Sequence, residues 1–96
     1  MTSTEIYNKI IKQNGVEHQI KVCIEELAEL TKELTKHIRN DTNENRMHLA
    51  EEIADVKICL EQLILYYNIN NEIEFFKEFK LTRLLLFYIK DKTNEK

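Results

Sequence analysis

The scarcity of helix-breaking residues is the sequence feature that most constrains the fold. The chain of 96 residues has no proline and one glycine, Gly15. Sheet-rich folds need frequent turn residues, and glycine-rich nucleotide-binding loops need several glycines, so a β-sandwich, a dinucleotide-binding fold and a P-loop are excluded. Apolar residues make up 43% of the chain and charged residues 32%, a mixture typical of amphipathic helices. The sequence therefore predicts an all-α protein.

Three short polar interruptions divide the chain into predicted helices. They are Asn14-Gly15, Asn40–Asn43 and Asn68–Asn71, and their residues favour caps and turns. We place four helices near residues 3–13, 16–39, 43–67 and 71–91. Capping-box spacing at Thr2, Asp41 and Asn71, each three residues before a glutamate, supports three of the helix starts. We expect residues 1–96 to form a single domain, with a flexible polar tail at 91–96.

The second and third helices are expected to form a central antiparallel pair in a four-helix bundle-like fold. Their connection is short, and each helix is about 35 Å long at 1.5 Å per residue. Each carries an apolar stripe at three- and four-residue spacing, which we expect to be buried. The stripes are Ile20, Cys23, Leu27, Leu30, Leu34 and Ile38 on one helix, and Leu49, Ile53, Val56, Leu60, Leu63 and Tyr67 on the other.

The fourth helix is apolar around nearly its whole circumference, and a helix of this kind has to be covered on every side. Its apolar residues are Phe75, Phe76, Phe79, Leu81, Leu84, Leu85, Leu86, Phe87, Tyr88 and Ile89. One interpretation packs it under the first helix. We favour the other, burial in a subunit interface, which predicts a homodimer or homotetramer.

Charge and cysteine content bound the compartment and the partners. The net charge is −3, so no basic surface for duplex nucleic acid is expected. The longest apolar run, 84–89, is too short to span a bilayer, and the first residues contain no signal peptide. Cys23 and Cys59 lie among apolar residues and are interpreted as reduced thiols, which favours the cytoplasm of a bacterium or of a phage-infected host.

Four acidic residues are predicted to meet between the second and third helices. At 100° per residue, Glu26 and Glu29 share one flank of the second helix, and Glu52 lies within the apolar arc of the third, near Asp55. Glu29 and Glu52 lie at similar distances from the connection, so the antiparallel pair places them at nearly the same height. A buried carboxylate costs several kcal/mol unless it is paired or bound to metal. A hard divalent cation would relieve the repulsion, and oxygen-only ligands favour Mg²⁺ or Mn²⁺.

Two other interpretations of these residues explain them less well. A solvated acidic face would pair glutamates with lysines one turn away, such as Glu25 with Lys21, but this does not account for Glu52. A di-iron bundle needs Glu-x-x-His on two helices, and no histidine of the chain follows a glutamate at that spacing.

The acidic residues also carry a resemblance to a known family. Glu25-Glu26-x-x-Glu29, then 22 residues, then Glu52-x-x-Asp55 resembles the signature of the MazG-like, all-α nucleoside triphosphate pyrophosphohydrolases. The surrounding segments IEELAELTKEL and AEEIADVKICL resemble the two motif helices of that family. The resemblance is strong over residues 16–67 and weak elsewhere, and longer members of the family carry two such domains.

The resemblance implies an activity and assigns residues to it. A nucleoside triphosphate, NTP or dNTP, would be hydrolysed to nucleoside monophosphate and pyrophosphate with Mg²⁺ held by Glu26, Glu29, Glu52 and Asp55. Glu25 matches the first glutamate of the motif and would orient or deprotonate water. Family members often carry a lysine followed by an asparagine near the end of the last helix, for which the nearest equivalents here are Lys80 and Arg83. These two residues are the candidates for binding phosphate, although snorkelling at the edge of an interface explains them equally well.

Two classes of function therefore stay open. The first is an Mg²⁺-dependent enzyme that limits a nucleotide pool. The alternative is a non-catalytic oligomeric helical module for interaction or nucleotide sensing. The position of Glu52 within an apolar arc favours the enzyme, because a relic site would be free to lose a costly charge.

Overall fold

The structure, a computed structural model, describes the backbone of residues 1–94 and the side chains of residues 1–92. It contains the helices α1 (Ser3–Asn14), α2 (Val16–Arg39), α3 (Asn43–Tyr67) and α4 (Asn70–Asn94), with no strand in the described backbone. The prediction of an all-α chain with four helices is confirmed. The last helix continues beyond the predicted end at residue 91, and residues 95 and 96 of the predicted flexible tail lie outside the described residues.

Side-chain caps define where two of the helices begin. The hydroxyl of Thr2 accepts a hydrogen bond of 3.1 Å from the backbone N–H of Glu5, as the capping-box spacing predicts. At the start of α3 the cap is Thr42 and not the predicted Asp41. The carboxylate of Asp41 instead accepts two hydrogen bonds from Arg46, at 2.7 and 3.0 Å, and these hold the pKa of Asp41 below its usual range. A bidentate partner across the turn thus takes the carboxylate away from the helix end.

Two residues with positive φ end helices. Gly15 has φ +86° and its N–H donates to the carbonyl of Ile11 at 2.8 Å, which ends α1 and lets α2 begin one residue later. Asn68 has φ +53° and ψ +49° and ends α3, with its N–H donating to the carbonyl of Leu65 at 3.2 Å. Glycine meets no steric penalty at positive φ, and asparagine adopts the left-handed region more readily than most residues.

The helices α2 and α3 form the predicted antiparallel pair, and α1 packs against both of them. A buried hydrogen bond of 2.7 Å joins Gln19 Nε2 on α2 to Gln62 Oε1 on α3. Further along the seam, Cys23 of α2 and the residues Val56 and Cys59 of α3 are buried. Both cysteines are free thiols.

The core of the single chain is small and half polar. The buried residues are Gln19, Cys23, Glu33, Val56, Cys59 and Gln62. Of the two apolar stripes predicted to be buried, only Cys23 and Val56 reach that state, and six residues are exposed: Leu27, Leu34, Ile38, Ile53, Leu60 and Tyr67. The prediction of burial is wrong for those six within one chain. The physical reason is that no helix of the same chain covers that side of the pair.

The last helix, α4, points away from the other three and packs against none of them along its length. Among its described side chains only that of Ile73 is partly covered. The ten apolar side chains between Phe75 and Ile89 are each between 51% and 65% exposed. Among the helices of residues 1–94, none has the length and apolar character that a membrane-spanning segment needs.

Candidate metal centre

Three of the four predicted metal ligands converge in the seam between α2 and α3. One carboxylate oxygen each from Glu26, Glu52 and Asp55 lies within 4.8 Å of the other two, and all three residues are half-buried. Glu26 comes from the middle of α2, and the other two lie one turn apart on α3. Their convergence follows from the antiparallel pairing, which brings the middle of one helix to the height of the middle of the other.

The carboxyl group of Glu52 lies in surroundings that disfavour its negative charge. Its Oε2 atom is shielded from solvent and has no hydrogen-bond partner among the described residues. Partial burial raises the pKa of Glu52, and the charges of Glu26 and Asp55 raise it further. A hydrogen bond to Glu26, available when a proton is shared, acts in the same direction. The ionised form of Glu52 is therefore disfavoured in the seam, and a cation bound there would relieve this penalty.

The fourth predicted ligand, Glu29, lies beside this group but outside it. Its side chain is exposed, and its charge contributes the smallest of the effects that raise the pKa of Glu52. A rotation of an exposed glutamate side chain is inexpensive, so Glu29 can join the other three around an ion. Glu25 is also exposed and lies about 100° around α2 from Glu26, outside the group of three.

No basic side chain neutralises these carboxylates within the described part of the chain. Glu26, Glu29, Glu52 and Asp55 form none of its ion pairs. Two of the three lysines of α2 pair elsewhere, Lys21 with Glu17 at 4.0 Å and Lys36 with Glu33 at 3.4 Å, and the third, Lys32, forms no ion pair among the described residues. The alternative in which lysines one turn away neutralise the acidic residues thus does not describe the seam.

The ligand chemistry of the seam fits a hard divalent cation. Opposite ligands of Mg²⁺ are about 4 Å apart, twice the usual Mg–O distance. The oxygens of Glu26, Glu52 and Asp55 span 4.8 Å or less, so small side-chain rotations would bring them onto one ion. Three carboxylates also leave coordination positions open for water or for phosphate oxygens.

The predicted phosphate-binding residues are not part of this group. Lys80 and Arg83 are exposed on α4, where together with Leu84 they line a surface cavity of about 260 Å³. Because α4 does not pack against the α2–α3 pair, the structure does not bring these two side chains to the carboxylates of the same chain.

Two polar contacts between helices were not predicted from the sequence. The first is the buried bond between Gln19 and Gln62, which Asn14 extends by donating to Gln19 Oε1 at 3.2 Å. The sequence did contain a signal for this bond, because Gln19 and Gln62 each lie next to a residue of an apolar stripe. The second is a hydrogen bond of 2.7 Å from the hydroxyl of Tyr7 to Glu61, beside a cavity of about 370 Å³ between α1 and the end of α3.

The cavity at Tyr7 is separate from the acidic group. Glu61 follows Glu52 by nine residues, which is two and a half turns, so the two side chains leave α3 in opposite directions. The cavity therefore adds nothing to the metal centre.

Comparison with known protein families, with curated proteins and with solved structures found no match to this chain.

Proposed function

We propose that the chain is a metal-dependent hydrolase that cleaves a nucleoside triphosphate to a nucleoside monophosphate and pyrophosphate. The observation that carries the proposal is the group of Glu26, Glu52 and Asp55, with an unpartnered oxygen on Glu52. These positions coincide with the metal-ligand positions of the MazG-like signature, and membership of that family is part of the proposal.

The charge balance of the reaction supports a metal in the seam. A triphosphate carries about four negative charges, so a cluster of carboxylates repels it. Mg²⁺ or Mn²⁺ held by Glu26, Glu29, Glu52 and Asp55 would supply the positive charge that offsets both the protein carboxylates and the phosphate oxygens. Attack of water at the α-phosphorus then expels pyrophosphate in line.

The remaining assigned residues have roles outside the group of three. Glu25 is exposed one position before Glu26, and we propose that it orients the attacking water or accepts its proton. Lys80 and Arg83 are proposed to bind phosphate groups of the substrate, which requires α4 to lie nearer to the carboxylates than it does in the single chain. We also propose that the functional state is a homodimer or a homotetramer in the cytoplasm, where it limits a nucleotide pool.

The identity of the products tests the proposed reaction. The purified protein is incubated with each common NTP and dNTP, with and without Mg²⁺, and the products are separated by anion-exchange chromatography. We expect monophosphate and pyrophosphate in equal amounts, only when metal is present. Diphosphate and orthophosphate would mean that a different bond is cut, and this result would contradict the proposal.

A matched pair of variants ties the activity to the seam. Glu52→Gln removes a charged ligand from the group of three, whereas Glu51→Gln removes the same charge from the adjacent exposed position outside it. We expect the first change to lower turnover by roughly 100-fold or more and the second to change it only a few-fold. Equal effects of the two changes would contradict the assignment of Glu52.

A second candidate function is a non-catalytic helical module for interaction or nucleotide sensing. The exposure of α4 favours it, because a large uncovered apolar helix is typical of an interaction surface. The two candidates differ in one measurable respect. The module would bind a nucleotide or a partner without releasing pyrophosphate under any of the conditions above.

A further inference from the structure

The single chain exposes far more surface than a compact protein of its mass. Its accessible surface is 7975 Å², whereas about 5,800 Å² is expected for 11.5 kDa. Its radius of gyration is 17.7 Å, against about 12.5 Å for a compact chain of this length. If each of two chains buried the excess of roughly 2,000 Å², the interface would total about 4,000 Å², which is in the range of obligate homodimers.

The first of two uncovered apolar surfaces is the hairpin face, one side of the α2–α3 pair. It consists of Ile24, Leu27, Leu34 and Ile38 on α2 and Ile53 and Leu60 on α3, all of them exposed. On each helix these residues lie roughly a quarter turn from the buried seam, with Ile24 further round, and in an antiparallel pair the two stripes then fall on the same side. The hairpin face is therefore one continuous surface.

The second uncovered surface is α4. Its apolar residues from Phe75 to Ile89 extend over about 21 Å at 1.5 Å per residue, the same length as the stretch from Ile24 to Ile38 on the hairpin face. Its apolar side chains point in all directions, so a single contact with one neighbour cannot cover them all. The two surfaces are thus similar in length and both apolar, and no helix of the same chain covers either one.

Charge separates the two ways in which a second copy can cover the hairpin face. Residues 16–67 contain eleven acidic and six basic side chains, so two hairpins packed face to face would repel each other. The whole of α4 contains five basic and four acidic side chains, so it is nearly neutral and adds no such repulsion, and its five basic side chains all lie between residues 77 and 92, in the part that carries most of the apolar residues. Pairing α4 with the hairpin also covers the hairpin face and one side of α4 with one type of contact, whereas pairing two hairpins leaves α4 wholly uncovered.

We infer that the protein is a reciprocal homodimer in which α4 of each copy packs along the hairpin face of the other. A two-fold axis relates the two contacts, so the assembly is closed and does not grow into a filament. The carboxylates lie about a quarter turn outside the covered face in this arrangement, because Leu27 is about 100° around α2 from Glu26 and Leu60 about 80° around α3 from Glu52. The inference concerns assembly and does not depend on the proposed hydrolysis.

Sedimentation equilibrium of two matched variants tests which side of the hairpin is covered. Leu60 and Ile58 are both on α3 and are 41% and 44% exposed, but they lie about 160° apart around the helix, so that only Leu60 belongs to the hairpin face. Leu60→Glu is expected to raise the dimer dissociation constant by tenfold or more, whereas Ile58→Glu leaves it within about threefold. A monomeric wild-type chain, or equal effects of the two changes, would overturn the inference.

Cross-linking identifies what lies on the hairpin face without any change in charge. Chains carrying Leu60→Cys and a mass tag are mixed with chains carrying Leu84→Cys on α4 and treated with a flexible bis-maleimide. The wild-type chain, whose two cysteines are buried, is the background control. Products of twice 11.5 kDa that join one chain of each kind are expected. Products that join only two Leu60→Cys chains would mean that hairpins pair with each other. If no mixed product forms and a chain carrying both changes cross-links within itself, α4 folds back on its own hairpin; either result overturns the inference.

Discussion

Glu52 brings a third carboxylate into a seam that already contains Glu26 and Asp55, and one of its oxygens has no partner among the described residues. The cost of this placement is visible in the raised pKa of its carboxyl group, caused first by burial and then by the neighbouring charges. A residue that is costly when ionised and alone becomes favourable when a cation is bound, because the same oxygen then acts as a ligand. In the proposed metal centre, the same position would account both for metal binding and for the unfavourable charge of the metal-free seam.

The stability of Glu52→Gln without metal tests this view at the residue scale. Because the pKa of Glu52 is raised in the folded chain, its favourable contribution is fully present below the ordinary value of 4.5 and is lost as the pH rises through the raised value. In EDTA at pH 7 we therefore expect Glu52→Gln to melt at a higher temperature than the wild type. The difference should shrink as the pH falls towards 4.

Metal should reverse the order of the two proteins. At pH 7, Mg²⁺ or Mn²⁺ is expected to raise the melting temperature of the wild type, since binding stabilises only the folded state, and to leave Glu52→Gln nearly unchanged. Scanning calorimetry with and without metal measures both effects. An equal metal response in the two proteins would show that the ion binds elsewhere.

At the scale of helices, a polar contact and not an apolar one holds the open end of the α2–α3 pair. Gln19 and Gln62 are both buried and bonded at 2.7 Å, and Asn14 at the end of α1 also donates to Gln19. This chain of amides links three helices at one point. It fixes their register, because a slip of either glutamine along its helix would leave a buried amide without a partner.

Removing one glutamine should therefore cost more than removing both. Gln62→Ala leaves the buried Nε2 of Gln19 without its acceptor, and we expect a loss of about 1–3 kcal/mol in the free energy of unfolding. The double change of Gln19 and Gln62 to leucine replaces the bond by apolar contact and is expected to recover most of that loss. Urea denaturation of the two variants measures the difference, and a double variant less stable than Gln62→Ala would contradict the interpretation.

At the scale of the whole molecule, α4 is the helix that has no packing partner within a single chain. Helix formation there is explained by the local sequence, which has no breaker between Asn71 and Asn94. The local sequence does not explain the position of the helix, since its exposed apolar side chains do not pack against the other described helices. In the reciprocal dimer, α4 and the hairpin face stabilise each other, so folding and assembly become one equilibrium.

Leu85→Glu tests this coupling through the concentration dependence of melting. Leu85 is 56% exposed in the single chain, so the change should alter the stability of a monomer by no more than about 0.5 kcal/mol. In the dimer it places a charge in an apolar contact. We expect the melting temperature of the wild type to rise with protein concentration and that of Leu85→Glu to be lower and independent of it. Activity, if present, should fall together with assembly, and a wild type whose melting is independent of concentration would contradict the coupling.

The helices and the position of the acidic group could be predicted from local sequence. Gly15, Thr2 and the polar interruptions place the helix ends within a few residues, because caps and turns act over a few residues. The heights of Glu26, Glu52 and Asp55 follow from the short connection, since two antiparallel helices of known rise leave little choice of register. Capping of α3 was wrongly assigned to Asp41 because sequence spacing cannot foresee the competing partner Arg46.

The sequence by itself thus determined four helices, a central antiparallel pair and a carboxylate group in its seam, because each depends on spacing along one helix or across one short turn. Only the tertiary structure decided which apolar residues are covered. Leu27 and Leu60 belong to stripes that the pattern predicts to be buried, yet both are exposed in the single chain. Periodicity specifies that a face is apolar, but burial depends on whether another surface reaches it. Among the described helices, α4 is the long apolar one left to cover that face, and it does not pack against it.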